Sequence, residues 1–191
     1  MISKSNKSDF NEVVCDKKSL NLFKSLKKLI LSLMAQKKAT HQRFLSIPDY
    51  FIDRWERAQL MGFESGSSVY DSCLVLGNVH VGKNTWIGPY TILDGSGGSL
   101  NIGNDCAISA GVHIYTHDSV DHVINGDPIA TSPVFIGDHV YIGPQSVITK
   151  GVKIGDYVVI GANSLVNKDL PSGSKAYGNP AKIVGCSRQE Q

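Results

Sequence analysis

The chain has 191 residues, 41% hydrophobic and 19% charged, a size and balance that fit one soluble domain with or without an appendage. A net charge of +2 calls for no nucleic acid or other acidic partner. Its four cysteines (Cys15, Cys73, Cys106, Cys186) form no CxxC pair, so neither a zinc ribbon nor a disulfide framework is indicated.

The averages hide an asymmetry. All 19 glycines lie between Gly62 and Gly185, and the first 61 residues carry 12 Lys/Arg against 6 Asp/Glu. We therefore expect an N-terminal segment of residues 1–67, a main domain of 68–170 and a tail of 171–191. Residues 1–18 are polar and aperiodic, and read as frayed. The lysine-rich start shows no signal peptide, and Leu29–Ala35 is too short an apolar run to span a bilayer. A cytoplasmic protein is expected.

Residues Ser19–Lys38 predict an amphipathic helix with Leu22, Leu26, Leu29, Ile30 and Leu33 in one stripe and lysines over most of the rest. Such a helix packs on a protein surface or makes weak contact with an anionic membrane. A second helix is predicted from Asp49 to Met61, entered through Ile47-Pro48, capped by Asp49 and ended by Gly62.

From Val75 an aliphatic residue returns every sixth position. The register runs Val75, Val81, Ile87, Leu93, then Ile102, Ile108, Ile114, then Ile136, Ile142, Ile148, Ile154, Ile160 and Val166. Two positions before many of these stands a small or β-branched residue, such as Thr85, Cys106, Val112 or Ser146. Six matches neither the helical 3.6 nor the strand's 2.0. It matches a β-helix, whose coils must stack to bury the apolar row. The register fails twice: Leu93 to Ile102 is nine residues, through Asp94-Gly-Ser-Gly-Gly-Ser99, and Ile114 to Ile136 is 22, through a loop of about 118–133. The first failure reads as a flexible corner. After Val166, Pro171 and Gly173 break the period, and the tail should run out over the surface.

Insertions in a solenoid tend to mark its binding face, which directs attention to His117 at the mouth of the long loop. A histidine there suits general-base chemistry, although a corner histidine can equally be structural. His80, His117 and His122 could instead bind zinc, but the spacing is weak evidence. Gly95-Ser-Gly-Gly98 lacks the phosphate-loop pattern, and no GxSxG elbow exists.

The repeated Ile-Gly-x4 units resemble those of hexapeptide-repeat acyltransferases. Tyr115-Thr-His-Asp118, Ile136-Gly-Asp-His-Val-Tyr-Ile-Gly143 and Gly178-Asn-Pro-Ala-Lys182 are similar to the sugar O-/N-acetyltransferase branch. The resemblance covers about residues 68–184 and implies a mainly β fold: a left-handed parallel β-helix, here with an N-terminal α-helical segment. Handedness comes only from the resemblance, since crossovers otherwise favour the right hand. It also implies a homotrimer with sites between subunits, acetyl-coenzyme A as donor, a sugar hydroxyl or amine as acceptor, and no metal. His117 matches the family's catalytic histidine. His113 and Asp118 are candidates to orient His117 or the acceptor, and Asp94 to bind a sugar hydroxyl or simply make a turn. By the same matching, Tyr141, Gly143, Pro144, Gly161, Ala162, Asn167, Lys168 and Lys182 would hold coenzyme A. The competing readings are a zinc-dependent hydratase like the γ-class carbonic anhydrases, which share the fold, and a non-catalytic scaffold at a membrane.

Overall fold

The computed structural model describes residues 17–187, and by its contacts the chain divides into two units at Phe51/Ile52. Cys15 and the expected fraying of 1–18 fall almost wholly outside the described residues. In the first unit, helix α1 (Lys17–His41) is three residues longer at its end than predicted, and none of its residues is buried. The short helix α2 (Pro48–Phe51) packs against it.

The single helix expected over Asp49–Met61 is two. Helix α3 (Arg54–Leu60) has its own N-cap, Asp53, whose carboxylate accepts the Trp55 and Glu56 N–H groups at 3.0 Å. Asp49 is not a helix cap of this kind; its carboxylate accepts the Ser46 hydroxyl at 2.9 Å. Helix α3 belongs with the second unit. Arg57 is buried, reaches the Val69 carbonyl at 3.5 Å and pairs with Asp71 at 3.3 Å, while Ala58 and Phe63 join the core. The contacts thus divide the chain earlier than the expected boundary at 67/68.

The second unit is mainly β. Its short strands pair in parallel with strands one turn of chain later, so the six-residue register becomes three buried columns. Val69, Ile87, Ile108, Ile142, Ile160 and Ala176 form one; Leu93, Ile114, Ile148 and Val166 a second; Val81, Ile102, Ile136, Ile154 and Leu170 a third. Each aliphatic side chain lies over its counterpart in the next turn, and at roughly 25 cal/mol per Å² of apolar surface this burial is the main stabilising term. The smaller positions are also inside, and their polar atoms are paired: Thr85 Oγ1 donates to the Gly103 carbonyl at 2.9 Å and Ser164 Oγ to Gly161 at 2.7 Å. Cys106 is buried, and desolvation raises its thiol pKa.

The corners between columns differ. Between the third and first columns, side chains cap the backbone of the turn before. Asp138 accepts the Asn104 N–H at 2.7 Å and Asp156 the Asp138 N–H at 2.8 Å. The corner between the second and third columns carries both failures of the period.

Neither failure is a plain loop. Asp94–Ser99 lies within one eleven-residue strand, Ile92–Ile102, which pairs with Leu74–Val81 on either side of a register shift at residues 96–99; the expected flexible corner is part of a strand. The long excursion is built as strand, helix and strand: His117–Asp118, helix α4 (Val120–Asn125) and Ala130–Thr131, the two strands pairing antiparallel. The tail departs from expectation as well. Ser174–Tyr177 continues the first sheet beside Val159–Ile160, with Ala176 fully buried, and only Lys182–Cys186 is an exposed strand folded back on it.

Candidate active site

The second-to-third corner brings three turns of the chain together around His117. Thr116, fully buried, is the fixed point. Its N–H and hydroxyl both donate to the Asp94 carbonyl, at 3.1 and 2.8 Å. Its hydroxyl accepts the Gly97 N–H at 3.0 Å, and its carbonyl accepts the Ser132 N–H at 2.8 Å. The residue after Thr116 is thereby held against the glycine-rich segment. A Cβ on Gly97 would stand 2.5 Å from His117 Cβ and 2.6 Å from the Thr116 carbonyl oxygen, so the close approach requires glycine.

The His117 side chain is 35% exposed, but its Nδ1 atom is buried and has no hydrogen-bond partner. Nδ1 lies 3.6 Å from Asp94 Oδ2, which is beyond hydrogen-bond range yet close enough for a shared proton after a small side-chain movement. The Asp94 carboxylate is itself only 7% exposed. Its other oxygen, Oδ1, accepts the Ser96 N–H at 2.9 Å and the Ser96 hydroxyl. A carboxylate facing Nδ1 favours the tautomer with the proton there and leaves Nε2 with a free lone pair. The pair can therefore take a proton from a group arriving on the open side of the ring.

Sequence matching nominated His113 and Asp118 as groups that might orient His117, and the structure gives them other partners. His113 Nδ1 is 3.3 Å from the Tyr115 hydroxyl. The Asp118 carboxylate pairs with Lys150 and accepts the Val120 N–H at 3.2 Å. The Lys150 contact, followed by the Val120 N–H, lowers the Asp118 pKa below its usual value. The group beside His117 is Asp94, 23 residues earlier, which had been nominated for the acceptor. Ser96, Gly97, Thr116 and Lys150 were not singled out at all. The only sequence signal for them is that Asp94–Gly97, Tyr115–His117 and Lys150 all follow a second-column aliphatic by one to four residues.

The residues nominated for coenzyme A fall at two separate corners. Gly143, Pro144, Gly161 and Ala162 lie between the first and second columns, where a Cβ on Gly143 would meet the Ala162 nitrogen at 2.5 Å. Tyr141 is exposed on the strand leading into that corner. Asn167, Lys168 and Lys182 line a cleft of about 510 Å³ with Leu170, Pro180 and Ala181. Between them lies a hollow lined by Gln145, Asn163, Leu165 and Asn179.

Among the described residues, no three His, Cys, Asp or Glu side chains gather as a metal site. His80, His117 and His122 are not brought together: His80 borders a separate hollow with Glu64 and Asn101, and His122 sits on α4 with Nδ1 2.7 Å from the Asp127 carbonyl.

Residues 133–168 match the family model described as bacterial transferase hexapeptide (six repeats). An uncharacterised protein of Dictyostelium discoideum is 30% identical over 82 residues; the match covers 43% of this chain and 30% of that protein's length. Among solved structures, the N-acyltransferase AntD from Bacillus cereus, in complex with dTDP and 3-hydroxybutyryl-CoA, is 26% identical with a TM-score of 0.60, covering 66% of this chain and 72% of AntD. A maltose O-acetyltransferase from Clostridium difficile 630 is 28% identical with a TM-score of 0.55, covering 91% and 90%. A galactoside acetyltransferase in complex with coenzyme A has the same fold, with 23% identity and a TM-score of 0.63, covering 82% and 78%. The resemblance read from the repeat is thus present in both sequence and fold: the chain carries a bacterial-transferase hexapeptide repeat on a scaffold similar to that of sugar acyltransferases.

Proposed function

We propose that this chain is an acyltransferase that moves an acetyl group from acetyl-coenzyme A to a hydroxyl or amine of a sugar, on a left-handed parallel β-helix assembled as a homotrimer in the cytoplasm. The observation that carries the reading is the buried, unpartnered His117 Nδ1 facing the buried Asp94 carboxylate at the mouth of the long excursion. The acceptor oxygen or nitrogen attacks the thioester carbonyl while Nε2 of His117 takes its proton. The new C–O or C–N bond forms, the C–S bond breaks, and the thiolate leaves as the coenzyme A thiol after receiving that proton. No acyl-enzyme is needed, because the thioester is already activated and the main requirement is positioning. Asp94 is a positioning residue in this scheme: it holds the ring in the tautomer that leaves Nε2 free and steadies the imidazolium that forms.

On this reading coenzyme A lies in a groove between subunits, with Gly143 and Gly161 among the residues that line it. Lys168 and Lys182 would meet the phosphates. The named neighbours act as acyltransferases, two of them with coenzyme A or an acyl-coenzyme A bound, and AntD binds dTDP. The dTDP of AntD supports a nucleotide sugar as acceptor, and a polysaccharide or lipopolysaccharide precursor is the other acceptor class within the proposal. The test is thiol release from acetyl-coenzyme A over a panel of nucleotide sugars and glycosides, with 3-hydroxybutyryl-coenzyme A as a second donor. Acceptor-dependent release is expected; hydrolysis alone across the panel, together with no binding of coenzyme A, contradicts the reading.

A further inference from the structure

Helix α1 stands out for its charge. Its 25 residues contain seven lysines and no aspartate or glutamate. At 100° per residue, Leu22, Leu26, Leu29, Ile30, Leu33 and Met34 share an arc of about 140°. Lys17, Lys24, Lys27, Lys28 and Lys38 share another of about 100° on the opposite side, which also holds Leu20 and Leu31, while Lys37 falls within the apolar arc. Part of the apolar arc is open: Leu22 is 71% exposed, Leu26 46% and Leu29 49%, while Ile30, Leu33 and Met34 are half-buried. No helix among the described residues is long and apolar enough to cross a membrane.

Two chemistries could cover such a face, and charge separates them. A second copy of α1 would bring seven lysines against seven with no acidic residue on the helix to answer them, and like charges across a helix pair oppose association. A layer of anionic lipid headgroups presents the opposite charge at the edge of an apolar phase. Lysine stems can lie along that apolar boundary while their ammonium groups reach the phosphates. We propose that α1 lies in the plane of an anionic lipid surface, with its leucine arc entering the acyl boundary and its lysines among the headgroups. The proposal is independent of the acyl-transfer reading, and either can fail alone.

The test uses the full chain and co-sedimentation with vesicles of phosphatidylcholine, with and without about one third phosphatidylglycerol. Binding to the anionic vesicles should be at least about tenfold tighter than to the neutral ones, and should weaken as salt rises from about 0.05 to 0.5 M. Joint substitution of Lys24→Gln, Lys27→Gln and Lys28→Gln should remove most of that preference, and Leu26→Ser with Leu29→Ser should lower binding to both kinds of vesicle. Equal binding to the two vesicle types, or anionic binding that survives high salt unchanged in the wild-type chain, overturns the proposal whether or not the variants fold. A Leu26→Ser/Leu29→Ser chain that keeps its helical signal but shows a smaller assembly mass without lipid also overturns it, because the occupant is then a second copy.

Discussion

At Asp94 the two carboxylate oxygens face different partners. Oδ1 is held by Ser96, while Oδ2 is left toward His117 Nδ1, 3.6 Å away. An acceptor-binding carboxylate would face open space, whereas this one is 7% exposed and directed at the ring. Asp94→Asn keeps the size and the Oδ1 acceptor but removes the charge. We expect kcat to fall about a hundredfold with KM nearly unchanged, as when a histidine base loses the group that fixes its tautomer. A rise in KM with kcat intact would assign Asp94 to the acceptor instead. His117 was legible in the sequence because a failed period points at it. Its partnership with Asp94 was not, because 23 residues of chain separate the two and only the stacking of turns joins them. Spacing alone could equally have paired His117 with its neighbour Asp118, which Lys150 occupies.

The elements at this corner show why composition misleads. Gly95-Ser-Gly-Gly98 has loop composition, yet it lies inside a strand: Gly95 pairs with Gly77, the register then shifts and resumes at Leu100, and Gly97 abuts Thr116 and His117. Its glycines serve close packing: a Cβ on Gly95 would stand 2.2 Å from the Asn78 carbonyl oxygen. The 118–133 excursion likewise proved to be a hairpin with a helix, tied at its base by Asp118 and Lys150. Lys150→Met should release that tie and speed amide exchange in Val120–Asn125 by about two- to fivefold at neutral pH, the scale of an exposed ion pair. The sign of its pH dependence follows from the lowered Asp118 pKa. The pair is intact above the ordinary carboxylate range and is lost as Asp118 protonates below it. The difference between wild type and variant should therefore persist at about pH 4 and close only in stronger acid. A difference that already vanishes at pH 5 to 6, or no difference at neutral pH, contradicts the tie.

For the molecule as a whole, the six-residue period carried most of the fold, because each aliphatic must meet its counterpart one turn later and the register of Ile108, Ile142 and Ile160 leaves little choice. The end of the repeat was not legible: Pro171 and Gly173 break the period, but Ala176 still meets Ile160 because the backbone pairing resumes after the break. Nor was the division at Phe51/Ile52, since glycine content marks where the repeat begins and not where Arg57 and Phe63 begin to pack against it. The central claim concerns what this scaffold does with His117, and one paired measurement tests it most directly. Turnover of acetyl-coenzyme A with the same sugar acceptor is compared between wild type and His117→Ala, with coenzyme A binding measured on both. We predict a loss of at least about a thousandfold in kcat with binding of coenzyme A and assembly mass unchanged. Turnover near the wild-type level in His117→Ala would contradict the account.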